Sequence, residues 1–266
     1  MPEEGSERRR HRRVKLEFPV SVIVGGSGKV IEGISANLSA GGMAVVLDGF
    51  IPLGKKLIIS FELQNNLIFE KVTAKILRTQ DAEDRFIYGL EFLSLSPQDA
   101  AKINALTDII YFIKKIKLFA VLSDAEALIL KSVGSDVEYP EGKTIFAEGE
   151  DGDAFYAVIN GKVRISKKSN IDSANEEVLA LIREGEFFGE MALFDEGLRT
   201  ANAAAHTNCT LFTITADQFN ELIQKNHLLA IKILLGFVRT LSKRLKAMNQ
   251  EMVDLLFSEA ALNEIK

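Results

Sequence analysis

This chain of 266 residues has one cysteine, three histidines and five prolines. A single cysteine excludes an internal disulfide. Its setting, Asn208-Cys209-Thr210-Leu211-Phe212, has no neighbouring cation to stabilise a thiolate and predicts a small, buried residue on a strand. His11, His206 and His227 are scattered and have no cysteine at ligand spacing, so no metal site is expected. Five prolines beside 19 glycines argue against a long disordered tract. No apolar leader is visible, because the N-terminal residues are rich in arginine and glutamate. The longest apolar stretch, Leu228 to Val238, is interrupted by Lys232 and is shorter than the ~20 residues a bilayer requires. Together these absences predict a cytoplasmic protein with no membrane span.

The net charge of −5 gives no general attraction to nucleic acid, yet Arg8, Arg9, Arg10, Arg12, Arg13 and Lys15 fall close together. The length suits two domains. From Val14 to Phe92 short β-like runs recur: Val14 to Val24, Val30 to Ile34, Met43 to Leu47, Lys56 to Leu63, Phe69 to Leu77 and Phe86 to Phe92. Six such strands predict a small closed β-barrel. After Pro97 the apolar period becomes helical through Ile103, Leu106, Ile110 and Ile113, and Ser123-Asp124-Ala125-Glu126 has capping-box spacing for another helix.

From Val137 to Phe212 strands return, predicting a second barrel or jelly roll, and Asn160-Gly161 between two apolar runs predicts a β-hairpin. The polar stretch from Ser169 to Glu176 is expected at a hairpin tip. Leu234, Phe237, Leu241, Leu245, Met248, Met252 and Leu255 then form a helical stripe, to be packed on its own domain or on a copy in a homodimer. The expected division is residues 1–97, a barrel with an arginine arm; 98–117, a connecting helix; and 118–266, the second β-domain with a long final helix. The fold class is mainly β with helices.

Arg9 and Arg13 present two planar, permanently charged forks, with Arg10 between them, that can grip phosphate bidentately and bond or stack on guanine. Asn37, Ser39 and Gly42 add an amide, a hydroxyl and a turn that admits close backbone approach. For the arginines alone, the plainer reading is a solvated basic tail. Arg9-x-x-x-Arg13 followed by Asn37-x-Ser39-x-x-Gly42, with Tyr88-Gly89-Leu90-Glu91-Phe92 as a last strand, resembles the PilZ domain. Arg8-x-x-x-Arg12 is a competing register, disfavoured because the family's second arginine directly precedes the first strand. The resemblance implies cyclic di-GMP binding by Arg9, Arg10, Arg13, Asn37, Ser39 and Gly42, with the arm folding over the barrel; the other outcome is a PilZ fold that only docks partners.

A cyclic nucleotide offers one anionic phosphodiester and a ribose hydroxyl, so its pocket needs a cation, N–H donors and an acceptor. Arg199, the turn from Gly189 to Leu193 and Glu190 have those properties, and Glu190 and Arg199 are expected to balance each other in the empty pocket. Either residue alone would suit a surface salt bridge. The run Phe188-Gly189-Glu190-Met191-Ala192-Leu193, followed by Arg199-Thr200-Ala201, resembles the phosphate-binding cassette of cyclic nucleotide-binding domains. By that resemblance Glu190 binds the ribose and Arg199 the phosphate, while Phe188, Gly189, Met191, Ala192 and Thr200 shape the turn. Leu198 replaces the family's usual proline before the arginine.

Running the catabolite activator pattern forward without gaps puts Arg244 where the final helix meets the base; a solvated helix face is the alternative. Cyclic AMP is favoured over cyclic GMP on ligand prevalence. No helix-turn-helix for DNA is expected after the final helix, and no Walker loop, kinase motif, cyclase signature or phosphodiesterase signature is present. The reading is a non-catalytic second-messenger receptor without cofactor or catalytic residue, relaying occupancy of either site to a protein effector that the sequence does not name.

Overall fold

A computed structural model describes residues 11–25, 28–63, 66–168, 176–194 and 197–263. The chain divides into two compact units, Met1–Phe112 with Ser123–Leu128, and Ile113–Leu122 with Ile129–Lys266.

The first unit is a closed barrel of six antiparallel strands: β1 (Pro19–Val24), β2 (Val30–Ser39), β3 (Gly42–Asp48), β4 (Lys56–Leu63), β5 (Leu67–Ala82) and β6 (Arg85–Phe92), in the order β1-β2-β3-β6-β5-β4. Pairing of β1 with β4 closes it and leaves no open edge. Alternation fills the interior: Leu57, Ile59, Phe61 and Leu63 of β4 all point inward, and Phe61 stacks on Phe69 at 4.7 Å. Tyr88 ties the barrel end, accepting from the Ile51 N–H at 2.7 Å and donating to the Gly49 carbonyl at 2.9 Å. Burial raises its phenol pKa.

The first strand is shorter than the sequence suggests. Only Pro19–Val24 joins the ladder, and Val14 makes an isolated bridge to Leu38. Between them the backbone turns to Ser35, whose N–H donates to the Phe18 carbonyl at 2.9 Å and whose hydroxyl accepts the Phe18 N–H and donates to the Leu16 carbonyl. A side chain thus takes the place of ladder partners, beside a bulge at Ser35/Asn37.

Helix α1 (Pro97–Lys115) buries the expected stripe of Ile103, Leu106, Ile110 and Ile113. Ser96 caps it by accepting the Asp99 N–H at 3.0 Å, and the Ser96 hydroxyl, then Lys102, hold the Asp99 carboxyl below its usual range. The capping box opening α2 (Asp124–Val133) is formed, with Ser123 and Glu126 exchanging bonds of 2.8 and 3.2 Å.

The second unit is a jelly roll of two four-stranded sheets. One orders β11 (Glu176–Arg183), β10 (Lys162–Lys168), β13 (Asn202–Ala205) and β8 (Thr144–Phe146); the other orders β12 (Phe187–Phe188), β9 (Ala154–Asn160), β14 (Cys209–Thr215) and β7 (Ser135–Tyr139). Their inner faces share a core of Phe146, Tyr156, Val158, Val163, Phe188, Ala203 and Leu211. Cys209 lies in that core, and burial pushes its thiol pKa up.

The hairpin expected at Asn160-Gly161 is not formed. β9 and β10 lie in different sheets, so the pair carries the chain from one sheet to the other. Gly161 is needed because its φ is +88° and a Cβ there would stand 2.4 Å from the Asn208 carbonyl oxygen. Positive φ at an Asn-Gly pair therefore marked a sharp turn here, not strand pairing.

Helix α3 (Ala216–Lys225) precedes the long final helix α4 (His227–Asn263). Phe237 of α4 is buried against Phe155, Phe187 and Phe194, with centroids 5.2 to 5.3 Å apart. Leu241, Leu245, Met248 and Met252 are exposed, so beyond Phe237 the stripe lies largely open to solvent. Among the described residues no helix is long and apolar enough to cross a membrane.

Candidate functional site

The second unit contains a cavity of about 800 Å³. Its floor is the turn after β12, where Gly189 in left-handed geometry (φ +72°) leads into a short 3₁₀ helix, Glu190–Leu193. A side chain at Gly189 would be strained, and its Cβ would approach Arg199 Nη1 to 2.9 Å. The apolar wall is Phe146, Ile165, Ala180, Leu181, Ile182 and Phe188; Met191, Ala192 and Thr200 complete the rim. From α4, Arg244, Ala247, Met248 and Glu251 close the far side.

Arg199 is held from below and behind. Its N–H donates to the Glu150 carbonyl at 2.7 Å, and its own carbonyl accepts the Gly149 N–H at 2.9 Å, which fixes it to the loop before β9. The guanidinium carbon lies 4.1 Å from the Phe146 centroid and 5.7 Å from that of Tyr156, a cation on aromatic faces. Tyr156 stacks on Phe188 at 5.2 Å, and burial drives its phenol pKa to about 12. The arginine side chain is 4% exposed; Nη2 reaches Asp153 at 3.2 Å, Nη1 the Gly189 carbonyl at 3.4 Å, and Nε has no partner among the described residues. The counter-ion Asp153 is itself 80% exposed, so a buried cation is only partly compensated.

Glu190 is buried too, but it does not pair with Arg199. Its Oε1 accepts from Arg244 Nη1 at 2.8 Å, while Arg244 Nη2 donates to the Phe187 carbonyl at 2.8 Å and the guanidinium lies 4.7 Å from the Phe187 ring. The expected mutual balance of Glu190 and Arg199 is thus replaced by two separate pairs, with Asp153 and Arg244 as the partners. Asp153 was not identified as a site residue from sequence; it lies 46 positions from Arg199, and no local pattern marks it.

On the barrel, Arg9 and Arg10 lie outside the described residues. The arm is described from His11 onward: Val14 and Leu38 exchange N–H···O bonds of 2.9 Å in both directions. This antiparallel bridge places Arg13 opposite Ser39, on the strand that also carries Asn37. The Asn37 Oδ1 atom is buried without a hydrogen-bond partner among the described residues. Ser39 and Gly42 have work within the barrel: the Ser39 hydroxyl donates to the Gly42 carbonyl at 3.0 Å, and a Cβ on Gly42 would stand 2.0 Å from the Leu90 carbonyl oxygen. Arg12, of the competing register, pairs with Asp108 and lies over Tyr111.

The buried arginine above a glycine-led turn and the basic arm on the barrel both present cations beside backbone donors, a chemistry suited to an anionic ligand. Comparison with known families agrees: residues 7–108 match the PilZ domain and residues 136–226 the cyclic nucleotide-binding domain, so the chain carries both, in that order. The cyclic AMP receptor protein of Thermus thermophilus is 38% identical over 127 residues, covering 48% of this chain and 56% of that protein. A CRP-like cAMP-activated global transcriptional regulator of Mycobacterium tuberculosis is 32% identical over 123 residues, covering 46% and 52%. The chain spans about half the length of these curated relatives. The crystal structure of the Thermus thermophilus catabolite activator protein aligns with 34% identity and a TM-score of 0.47, over 53% of this chain and 62% of that one.

Proposed function

We propose that the protein is a non-catalytic cytoplasmic receptor for two second messengers, binding a cyclic mononucleotide in the jelly-roll cavity and cyclic di-GMP on the barrel. The observation that carries the first half is the buried Arg199, whose Nε has no partner among the described residues. A phosphodiester anion would supply the acceptors this guanidinium lacks, through charge-assisted hydrogen bonds in a water-poor site. Glu190 would accept from the ribose hydroxyl, and Arg244 would cover the base from α4. Cyclic AMP is the preferred ligand, in line with the names of the bacterial relatives. The barrel half rests on the PilZ match, the Arg13 position opposite Ser39 and the buried Asn37 Oδ1 that has no partner among the described residues, with Arg9 and Arg10 as further contacts. The output passes to a protein effector.

The observation favouring the alternative, a sensor of cyclic mononucleotide only with the barrel as a docking module, is that Ser39 and Gly42 already serve the barrel turn. A thermal-shift panel of cyclic mono- and dinucleotides separates the two readings. A ligand held only by the folded state at a hundredfold excess over its dissociation constant adds about 2.7 kcal/mol. Cyclic AMP and cyclic di-GMP are each expected to raise the melting temperature, and together to raise it more than either alone. Silence towards cyclic di-GMP supports the docking reading; silence towards every messenger removes both.

The exposed part of α4 also suits self-association. Ile231, Leu234, Val238, Leu241, Leu245, Met248 and Met252 alternate at spacings of three and four, as a two-stranded coiled coil requires. Leu245→Glu is expected to convert a dimer to a monomer in sedimentation velocity. An unchanged sedimentation coefficient would remove this seam as the interface.

A further inference from the structure

The three described arm residues around Arg13 are each anchored, and one anchor comes from α1. His11 lies against the turn at Gly41, where an added Cβ would meet its ring at 2.9 Å, and Val14 is bonded to Leu38. Arg12 donates to Asp108 Oδ1, and its guanidinium carbon stands 4.0 Å from the Tyr111 centroid and 6.0 Å from that of Phe112. The two rings meet edge to face at 5.6 Å. Asp108, Tyr111 and Phe112 are spaced i, i+3 and i+4 and so share one face of the helix. An exposed ion pair adds little to stability by itself; Arg12 and Asp108 retain 48% and 47% of their side-chain exposure. What the cluster does fix is position: Arg12 is drawn onto α1, while the Val14–Leu38 bridge places Arg13 opposite Ser39.

We propose that Asp108 and Tyr111 are positioning residues for ligand binding on the barrel: by seating Arg12 they set the register of the arm, so that Arg13 and not Arg12 faces the ligand. This rests on the cyclic di-GMP reading given above. Holding the arm in place before the ligand arrives removes part of the ordering cost that binding would otherwise carry. Arg12 acts through Tyr111 and Asp108 and does not touch the ligand.

The test is calorimetric titration of cyclic di-GMP into the full chain carrying Tyr111→Leu, Tyr111→Phe, Arg12→Ala or the Arg12→Ala/Tyr111→Leu pair. Arg12→Ala and Tyr111→Leu should each weaken binding about three- to tenfold, the scale of a partly exposed cation–π contact with its ion pair. The pair should be no weaker than the worse single variant, since both break one contact. Tyr111→Phe keeps the ring face and should bind like wild type, and ligand-free melting temperatures should not move. Wild-type affinity in Tyr111→Leu overturns the proposal while leaving the receptor reading intact. So does a pair in which the two losses multiply, which would mean that Arg12 contacts the ligand itself, or an equal loss in Tyr111→Phe. A wild-type chain that ignores cyclic di-GMP overturns the receptor reading, and this inference with it.

Discussion

Arg199→Met is expected to lower cyclic mononucleotide affinity by roughly two to three orders of magnitude, the scale seen when one partner of a desolvated, hydrogen-bonded charge pair is removed. The ligand-free protein should nevertheless melt at or slightly above the wild-type temperature. The two effects have one cause. In the empty pocket Arg199 is desolvated, its Nε has no partner among the described residues and its counter-ion Asp153 faces solvent, so the folded state bears a cost that an apolar side chain of similar volume does not. Methionine keeps a contact with Phe146 and Tyr156 through its sulfur. The backbone bonds of residue 199 to Gly149 and Glu150 do not depend on the side chain. Titration calorimetry beside differential scanning calorimetry reads both quantities. Affinity within about threefold of wild type would remove Arg199 from the phosphate site, since even a single charge-assisted hydrogen bond contributes more than that.

The distribution of these contacts along the chain explains what could be read beforehand. Barrel strands carry a period of two, and all six were visible. Helix α1 declared itself by its stripe and α2 by its capping box, both local signals. The cassette was visible because Gly189, Glu190 and Arg199 lie within eleven positions and their residue types state their chemistry. What failed was pairing. Asn160-Gly161 reports the backbone conformation of a turn, which is the same whether the next strand joins the same sheet or crosses to the other. Opposite charges in one cavity suggested that Glu190 and Arg199 neutralise each other, but the partners are Asp153, 46 positions away, and Arg244, 54 positions away. The anchor of Arg12 on α1 spans 96 positions and had no local trace. Long-range partners follow from topology, and a single sequence does not carry that.

The same distinction bears on the barrel, where Arg13→Ala should reduce cyclic di-GMP affinity by roughly ten- to a hundredfold, the value of one or two hydrogen bonds to a charged group. Ser39 and Gly42 are poor sites for this test. Removing the Ser39 hydroxyl unpairs the Gly42 carbonyl, and adding a Cβ to Gly42 drives it into the Leu90 carbonyl, so binding lost in either variant could reflect a damaged turn. Arg13 is the better site, because the contacts that hold its neighbours, between Val14 and Leu38 and from Arg12 to α1, do not belong to the barrel turn. The cyclic mononucleotide site of Arg13→Ala should remain loadable, which checks that the variant is folded. Retained micromolar affinity for cyclic di-GMP in this variant would mean that the arginine assignment is wrong. It would also return the Asn37 acceptor, buried and unpartnered among the described residues, to the status of a structural oddity.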